Sequence, residues 1–155
     1  MMRRPLYIIL GALVSVLCLT SCKENYYIEN DLHGVWQMTS VERLSTGDIN
    51  PTKGELFFMF QRTMVALCEN YISTPEGISR VIAQFDPIEP DSIRMGNFRV
   101  YSTGEGNNIN KETKVAISSL NKFGIYQDNT MFHLQQSKQK MTLTSDSARI
   151  ELRKY

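Results

Sequence analysis

The side chains in this 155-residue sequence that could carry reaction chemistry are few: three cysteines, two histidines and scattered carboxylates. A metal site needs several converging ligands. His33 and His133 have no Cys or His partner at ligand spacing, so both read as surface histidines and no metal is expected. Asp86, Glu89 and Asp91 offer oxygens suited to calcium, but they lack the glycine and closing glutamate of a calcium-binding loop. They read as a solvated turn. Gly104-Glu105-Gly106 begins like a dinucleotide loop, yet Ile109 stands where the third glycine belongs, and no parallel βαβ unit surrounds it. The sequence contains no Gly-x-Ser-x-Gly and no nucleophile with an oriented base. A non-enzymatic protein without a cofactor is therefore expected.

Of the cysteines, Cys22 is the one with a defined chemistry. Met1-Met2-Arg3-Arg4-Pro5 is a short positive segment, and Leu6 to Thr20 follows with no charge in it. A membrane-spanning helix needs roughly 20 apolar residues. This run is 15 long and is followed directly by Lys23-Glu24-Asn25, so it fits an export signal better. Leu19-Thr20-Ser21-Cys22 resembles the lipobox of bacterial lipoproteins at every position. That resemblance implies cleavage before Cys22, diacylglycerol on its thiol and an acylated new N-terminus. Several acyl chains on one residue give stable membrane anchoring. Enterobacterial lipoproteins retained at the inner membrane carry aspartate after the cysteine. Lys23 stands there instead, which points towards the outer membrane.

The expected organisation is then a signal over residues 1–21, an acylated Cys22 and tether over 22–31, and one domain over 32–155. Removing Arg3 and Arg4 from the 17 Lys plus Arg leaves 15 against 16 Asp plus Glu, a net charge of −1. Nothing in that balance suits nucleic acid. Once Cys18 leaves with the signal and Cys22 takes lipid, Cys68 is alone. It sits in the apolar stretch Met64-Val65-Ala66-Leu67-Cys68 and reads as a buried, inert thiol.

The residues that must position any site read mostly as strands. In Leu32 to Val41, Trp36, Met38 and Ser40 share one face. Ser45 to Pro51 is a turn cluster. Glu55 to Gln61 is apolar on both faces, and such a strand must be covered on both sides. Arg62 to Tyr71 continues in β-leaning residues after a bend. Ile78 to Phe85 follows, with Val81, Ala83 and Phe85 on one face. Asp86 to Asp91 is a proline-rich turn. Ser92 to Met95 and Asn97 to Ser102 are two short strands or one interrupted strand. Asn110 caps a predicted helix from Lys111 to Phe123, whose stripe is Val115, Ala116, Ser119, Leu120 and Phe123, with Gly124 as its stop. Thr130 to Gln135, Lys140 to Thr144 and Ala148 to Tyr155 close the chain, the last two joined by a turn at Ser145-Asp146-Ser147. Phe132 and Leu134, Met141 and Leu143, and Ile150 and Leu152 form the inward faces. The fold class is mostly β, an antiparallel barrel or strongly curved meander with one short helix.

Gly34-Val35-Trp36 is the Gly-x-Trp seen in lipocalins. Leu120 to Ile125, Phe132-His133-Leu134, Lys140 to Thr144 and Arg149 to Tyr155 resemble the closing strands of the lipocalin-like domain in Bacteroidetes lipoproteins. The resemblance implies that Trp36 plugs the closed barrel end beneath a C-terminal arginine, Arg153 or else Arg149. Phe58, Phe60, Phe85 and Tyr101, with Phe57, Tyr71 and Phe98 near them, would either line a ligand cavity or fill a packed core. Asp91-Ser92-Ile93 and Asp146-Ser147-Ala148 resemble the O-glycosylation acceptor of exported Bacteroidetes proteins, which makes Ser92 and Ser147 candidate acceptors. The function expected on this basis is a membrane-anchored envelope protein that binds a small apolar or amphipathic ligand, or an envelope partner. The alternative is an accessory subunit of an envelope complex with no small-molecule ligand.

Overall fold

Among the described residues, ten strands and one short helix follow from the patterns just read. A computed structural model describes residues 32–69, 80–88, 90–101 and 112–155. The strands are β1 (Gly34–Arg43), β2 (Asp48–Pro51), β3 (Leu56–Gln61), β4 (Met64–Glu69), β5 (Arg80–Ile88), β6 (Ser92–Tyr101), β7 (Glu112–Lys114), β8 (Thr130–Gln136), β9 (Lys140–Thr144) and β10 (Ala148–Lys154). A 3₁₀ helix, Ile117–Phe123, lies between β7 and β8.

All pairings are antiparallel. The order runs β1-β3-β4-β5-β6-β8-β9-β10, and β10 pairs back onto β1. The eight strands so linked form a closed barrel, with β2 and β7 attached to β1 and β6 outside the ring. Closure removes the free edges an open sheet would present.

The inner faces follow period two. Ala148, Ile150 and Leu152 on β10, Met141 and Leu143 on β9, and Leu56, Phe58 and Phe60 on β3 are all buried. Two bulges shift that phase. Thr39 is an extra residue on β1 between the pairs Met38–Leu152 and Ser40–Glu151. The backbone there is tied down by Thr52, whose amide donates to the Thr39 carbonyl at 3.0 Å. Beyond the bulge Val41, rather than Ser40, points inward. On β6 the register slips between the pairs Gln84–Gly96 and Ile82–Arg99. Asn97 adopts φ 59° there, and its amide donates to Asp128 Oδ1 at 2.9 Å. Of the two alternatives expected around Gly96, two short strands or one interrupted strand, the second holds, as one bulged strand.

Three expectations are corrected. Asp48–Pro51 is a strand on β1 rather than part of a turn, and only the residues around Gly47 reverse the chain. Asp86, Pro87 and Ile88 extend β5 instead of turning. Proline is tolerated because the β4 ladder ends at Gln84, so no neighbour asks Pro87 for a donor. The helix does not start at Lys111. Glu112–Lys114 pair with β6, and Ala116 rather than Asn110 precedes a helix of seven residues. The free upper half of β6 outcompetes a helical turn for these backbone groups. Leu120 and Phe123 of the expected stripe are buried, and Asn110 lies outside the described residues.

Gly124 ends that helix at φ 76°, and its amide donates to the Asn121 carbonyl at 3.0 Å. A Cβ there would lie 2.8 Å from Ile150 Cγ1. Gly47 has a similar φ of 73° and open space around it. Gly124→Ala should therefore cost about 2–4 kcal/mol in urea denaturation, from backbone strain plus overpacking. Gly47→Ala should cost only about 1 kcal/mol, from strain alone.

Candidate functional site

Two places carry chemistry beyond packing: the end of the barrel where β1 and β10 meet, and the outer wall of β1, β3, β4 and β5.

At the barrel end Trp36 is 1% exposed. Its indole N–H donates to the Leu32 carbonyl at 2.8 Å, so the one polar atom of the ring is satisfied inside. Register places Lys154 opposite Trp36 and Arg153 opposite Gln37. Lys154 Nζ lies 4.4 Å from the Trp36 ring centroid and also donates to the His33 carbonyl. Gly34 makes room for it: at φ 117°, a Cβ would stand 2.9 Å from Lys154 Nζ. The cation over the plug is thus Lys154, and the expectation of Arg153 or Arg149 is corrected. Leu152 faces inward, so Lys154 shares its phase while Arg149 and Arg153 face out. Arg153 Nε donates to Gln37 Oε1 at 2.7 Å, and Arg149 pairs with Glu42 at 3.1 Å.

Inside the barrel, Phe58 and Phe85 are 0% exposed and Phe60 is 2%. Their rings touch: Phe60 meets Phe85 edge-on at 5.4 Å, Phe58 stacks on Phe60 at 6.3 Å, and Phe123 meets Phe58 edge-on at 5.9 Å. Phe58 and Phe85 form packed core rather than cavity wall, and Phe60 does both, since it packs among these rings and also borders a depression on the outer wall. Tyr101 contributes its backbone to β6, opposite Arg80, and its side chain lies outside the described part of the chain. Tyr71 is also outside the described residues.

The outer wall is where space opens. A depression of about 810 Å³ lies across β1, β3, β4 and β5. Val35, Met59, Ala66 and Ile82 form a row across its floor, since the register pairs them in succession. His33, Arg62 and Arg80 stand among its lining, which includes no Asp or Glu among the described residues. The Arg62 amide donates to His33 Nε2 at 2.8 Å, which fixes that nitrogen as an acceptor. Arg80 Nε is buried without a hydrogen-bond partner among the described residues. Close by, Cys68 is 3% exposed, with its sulfur 3.6 Å from Met59 Sδ. Burial pushes the Cys68 thiol up, and the positive charge of Arg80 partly opposes this.

The sequence model of the lipocalin-like domain family matches residues 17–155. This chain belongs to that family. Two solved structures share the fold. One is a lipocalin-like protein from Bacteroides uniformis, 16% identical, with a TM-score of 0.54 over 81% of this chain and 99% of the other. The second is an uncharacterized protein from Bacteroides eggerthii, 18% identical, with a TM-score of 0.54 over 80% and 99%. No curated protein sequence matches.

In this lipocalin-like domain the remaining sequence candidates stay apart. His133 Nδ1 lies 3.3 Å from Asp91 Oδ1 at the surface, and Asp86 is exposed on β5. Glu89 and the Gly104–Gly106 loop lie outside the described residues, as does Cys22. No group of three or more metal-ligating side chains occurs among the described residues. Ser92 is half-buried at the start of β6, opposite His133. Ser147 is half-buried in the β9–β10 turn, where its amide donates to Ser145 Oγ at 3.2 Å. Sequence reasoning missed Lys154 and Arg80. The phase of β10 was enough to find the first. The second carried no signal until the strand register was known.

Two outcomes follow. Trp36→Ala should lose about 3–5 kcal/mol, and Lys154→Met about 1–2 kcal/mol. Arg149→Ala should lose less than about 1 kcal/mol, as a surface pair. A greater loss for Arg153→Ala than for Lys154→Met, by thermal denaturation, would return the role to the arginine. The second concerns Cys68. Its folded pKa exceeds its unfolded value, so stability is full below the unfolded pKa and falls as pH rises above roughly 8.5, where the unfolded thiol ionises first. Wild type should lose stability relative to Cys68→Ala across that range, and its thiol should resist Ellman's reagent until unfolding.

Proposed function

We propose that this protein is an acyl-anchored envelope lipoprotein whose barrel binds a small apolar or amphipathic ligand on its outer wall, without catalysing a reaction. The observation that carries this reading is the depression over β1, β3, β4 and β5. Its volume falls in the range of small-molecule sites, roughly 300–1,000 Å³. Its floor is apolar where a solvated barrel wall would ordinarily be polar. Anchoring rests on the lipobox at Cys22 and places the domain at a lipid surface, with the outer membrane favoured by Lys23. His33, Gly34 and Val35 line the depression, so it borders the start of β1.

A second reading is an accessory subunit that uses the same apolar wall to seat an envelope protein. Met64, a large apolar side chain 46% exposed at the margin of that wall, favours it, because a protein partner covers such surface.

Native mass spectrometry of the protein isolated from its own host separates the two. A retained small molecule is expected. A bare polypeptide mass accompanied by a stoichiometric protein partner would replace the first reading with the second. Cys22→Ser should move the protein from the membrane to the soluble fraction, and unchanged membrane fractionation would end the acyl-anchor reading.

A further inference from the structure

The outer-wall depression has a charge character that its volume alone does not convey. Among the described residues its cationic lining is Arg62 and Arg80, with His33 beside them, and no described lining residue is a carboxylate. The apolar part is a continuous strip, Val35, Met59, Ala66 and Ile82, with Met64 at the margin and 46% exposed. A strip of methyl and thioether groups ending at guanidinium groups matches one kind of molecule: a single apolar chain with an anionic head.

Arg80 is the group that decides the head. Its Nε is shielded from solvent and has no acceptor among the described residues. Leaving a charged donor buried and unpaired is costly, and a native protein ordinarily supplies an acceptor. Guanidinium groups accept carboxylates through two parallel hydrogen bonds, which involve Nε and one terminal nitrogen in one common geometry. Arg80 is half-buried and lines the depression, so it lies against the wall rather than out in solvent.

Resting on the reading of the depression as a ligand site, we propose that it holds a long-chain carboxylate as a single molecule, its head on Arg80 and its chain along Met59, Ala66 and Ile82. A bilayer surface is the other source of the same chemistry. It is flat on this scale and meets projecting residues, whereas these residues line a concavity.

The test uses the full lipidated chain in vesicles of phosphatidylcholine, with photoactivatable palmitate and the matching photoactivatable alcohol as probes. Crosslinks are mapped by peptide mass spectrometry. Palmitate should label the segments around Met59–Met64 and Ile82, and the alcohol should label them about tenfold less, the worth of one charge-assisted pair. Arg80→Gln should bring palmitate down to the level of the alcohol and leave the alcohol unchanged. Met64→Glu, at an exposed position that leaves the core intact, should also lower palmitate labelling by setting a like charge at the margin.

Equal labelling by acid and alcohol, insensitive to Arg80→Gln, would overturn the anionic head while leaving a ligand site in place. Absence of label from these segments with either probe would overturn the ligand site as well. Equal labelling by a photoactivatable phosphatidylglycerol that stays in the bilayer would replace the single molecule with the membrane surface.

Discussion

Closure of this barrel depends on a strand pairing made between opposite ends of the domain. β1 and β10 run side by side from Trp36 and Lys154 to Arg43 and Ala148. The chain between them must be gathered before either strand can pair, so the loop-closure entropy is large and local contacts cannot supply the register. Register is set by what happens at Trp36. Its ring is buried, its N–H is held by the Leu32 carbonyl, and Lys154 reaches across it to the His33 carbonyl. A slip of one residue would turn Lys154 outward and bring Arg153 to the inner face, and Ile150 and Leu152 would lose their burial. The Gly-x-Trp pattern acquires a physical reason here. Tryptophan fills the end, and only glycine two residues earlier leaves space for the lysine that covers it.

The bulges then decide what the ring encloses. At Thr39 the phase of β1 changes, so that Val41 joins the interior against Ile150. At Asn97 the phase of β6 changes, so that Phe98 enters as Met95 does. Both devices let a long strand curve around a small core while Val41 and Phe98 stay inside. The 3₁₀ helix adds Leu120 and Phe123 to that core, and Phe123 meets Phe58 edge-on.

Much of this was legible in the chain and some was not, for reasons of geometry. β9 and β10 alternate cleanly, and their ends and turn were readable almost to the residue. The apolar character of Leu56–Gln61 on both faces was also readable, though the coverage it called for holds on the outer side at Phe57 and not at Met59, which lines the open depression. Phe57, on the outer side, is met edge-on by Tyr155 at 5.3 Å. The stretch before Gly124 misled because helical spacing and β-branched composition overlap there. Thr113 and Val115 suit a strand as well as the stripe suits a helix, and the unfilled edge of β6 settled the matter. The arginine expected over Trp36 came from family resemblance alone, and it conflicted with the alternation of Ile150 and Leu152. Strand phase was the stronger guide. Arg80 could not be found in advance, because a row across four strands has no counterpart along the sequence.

The packed interior constrains where this domain can act. Eight strands enclose little space, and side chains commonly fill it. Here Phe58, Phe60, Phe85, Phe98 and Phe132 lie between 0 and 2% exposed. Admitting a ligand among them would require these rings to leave rotamers fixed by edge-on and stacked contacts, at a cost comparable to overpacking a core, about 1–3 kcal/mol or more. The wall at β1, β3, β4 and β5 asks for no such rearrangement, since its apolar row already faces an open concavity. On the ligand-binding reading proposed above, a barrel whose aromatic residues fill its own core presents its recognition chemistry outside.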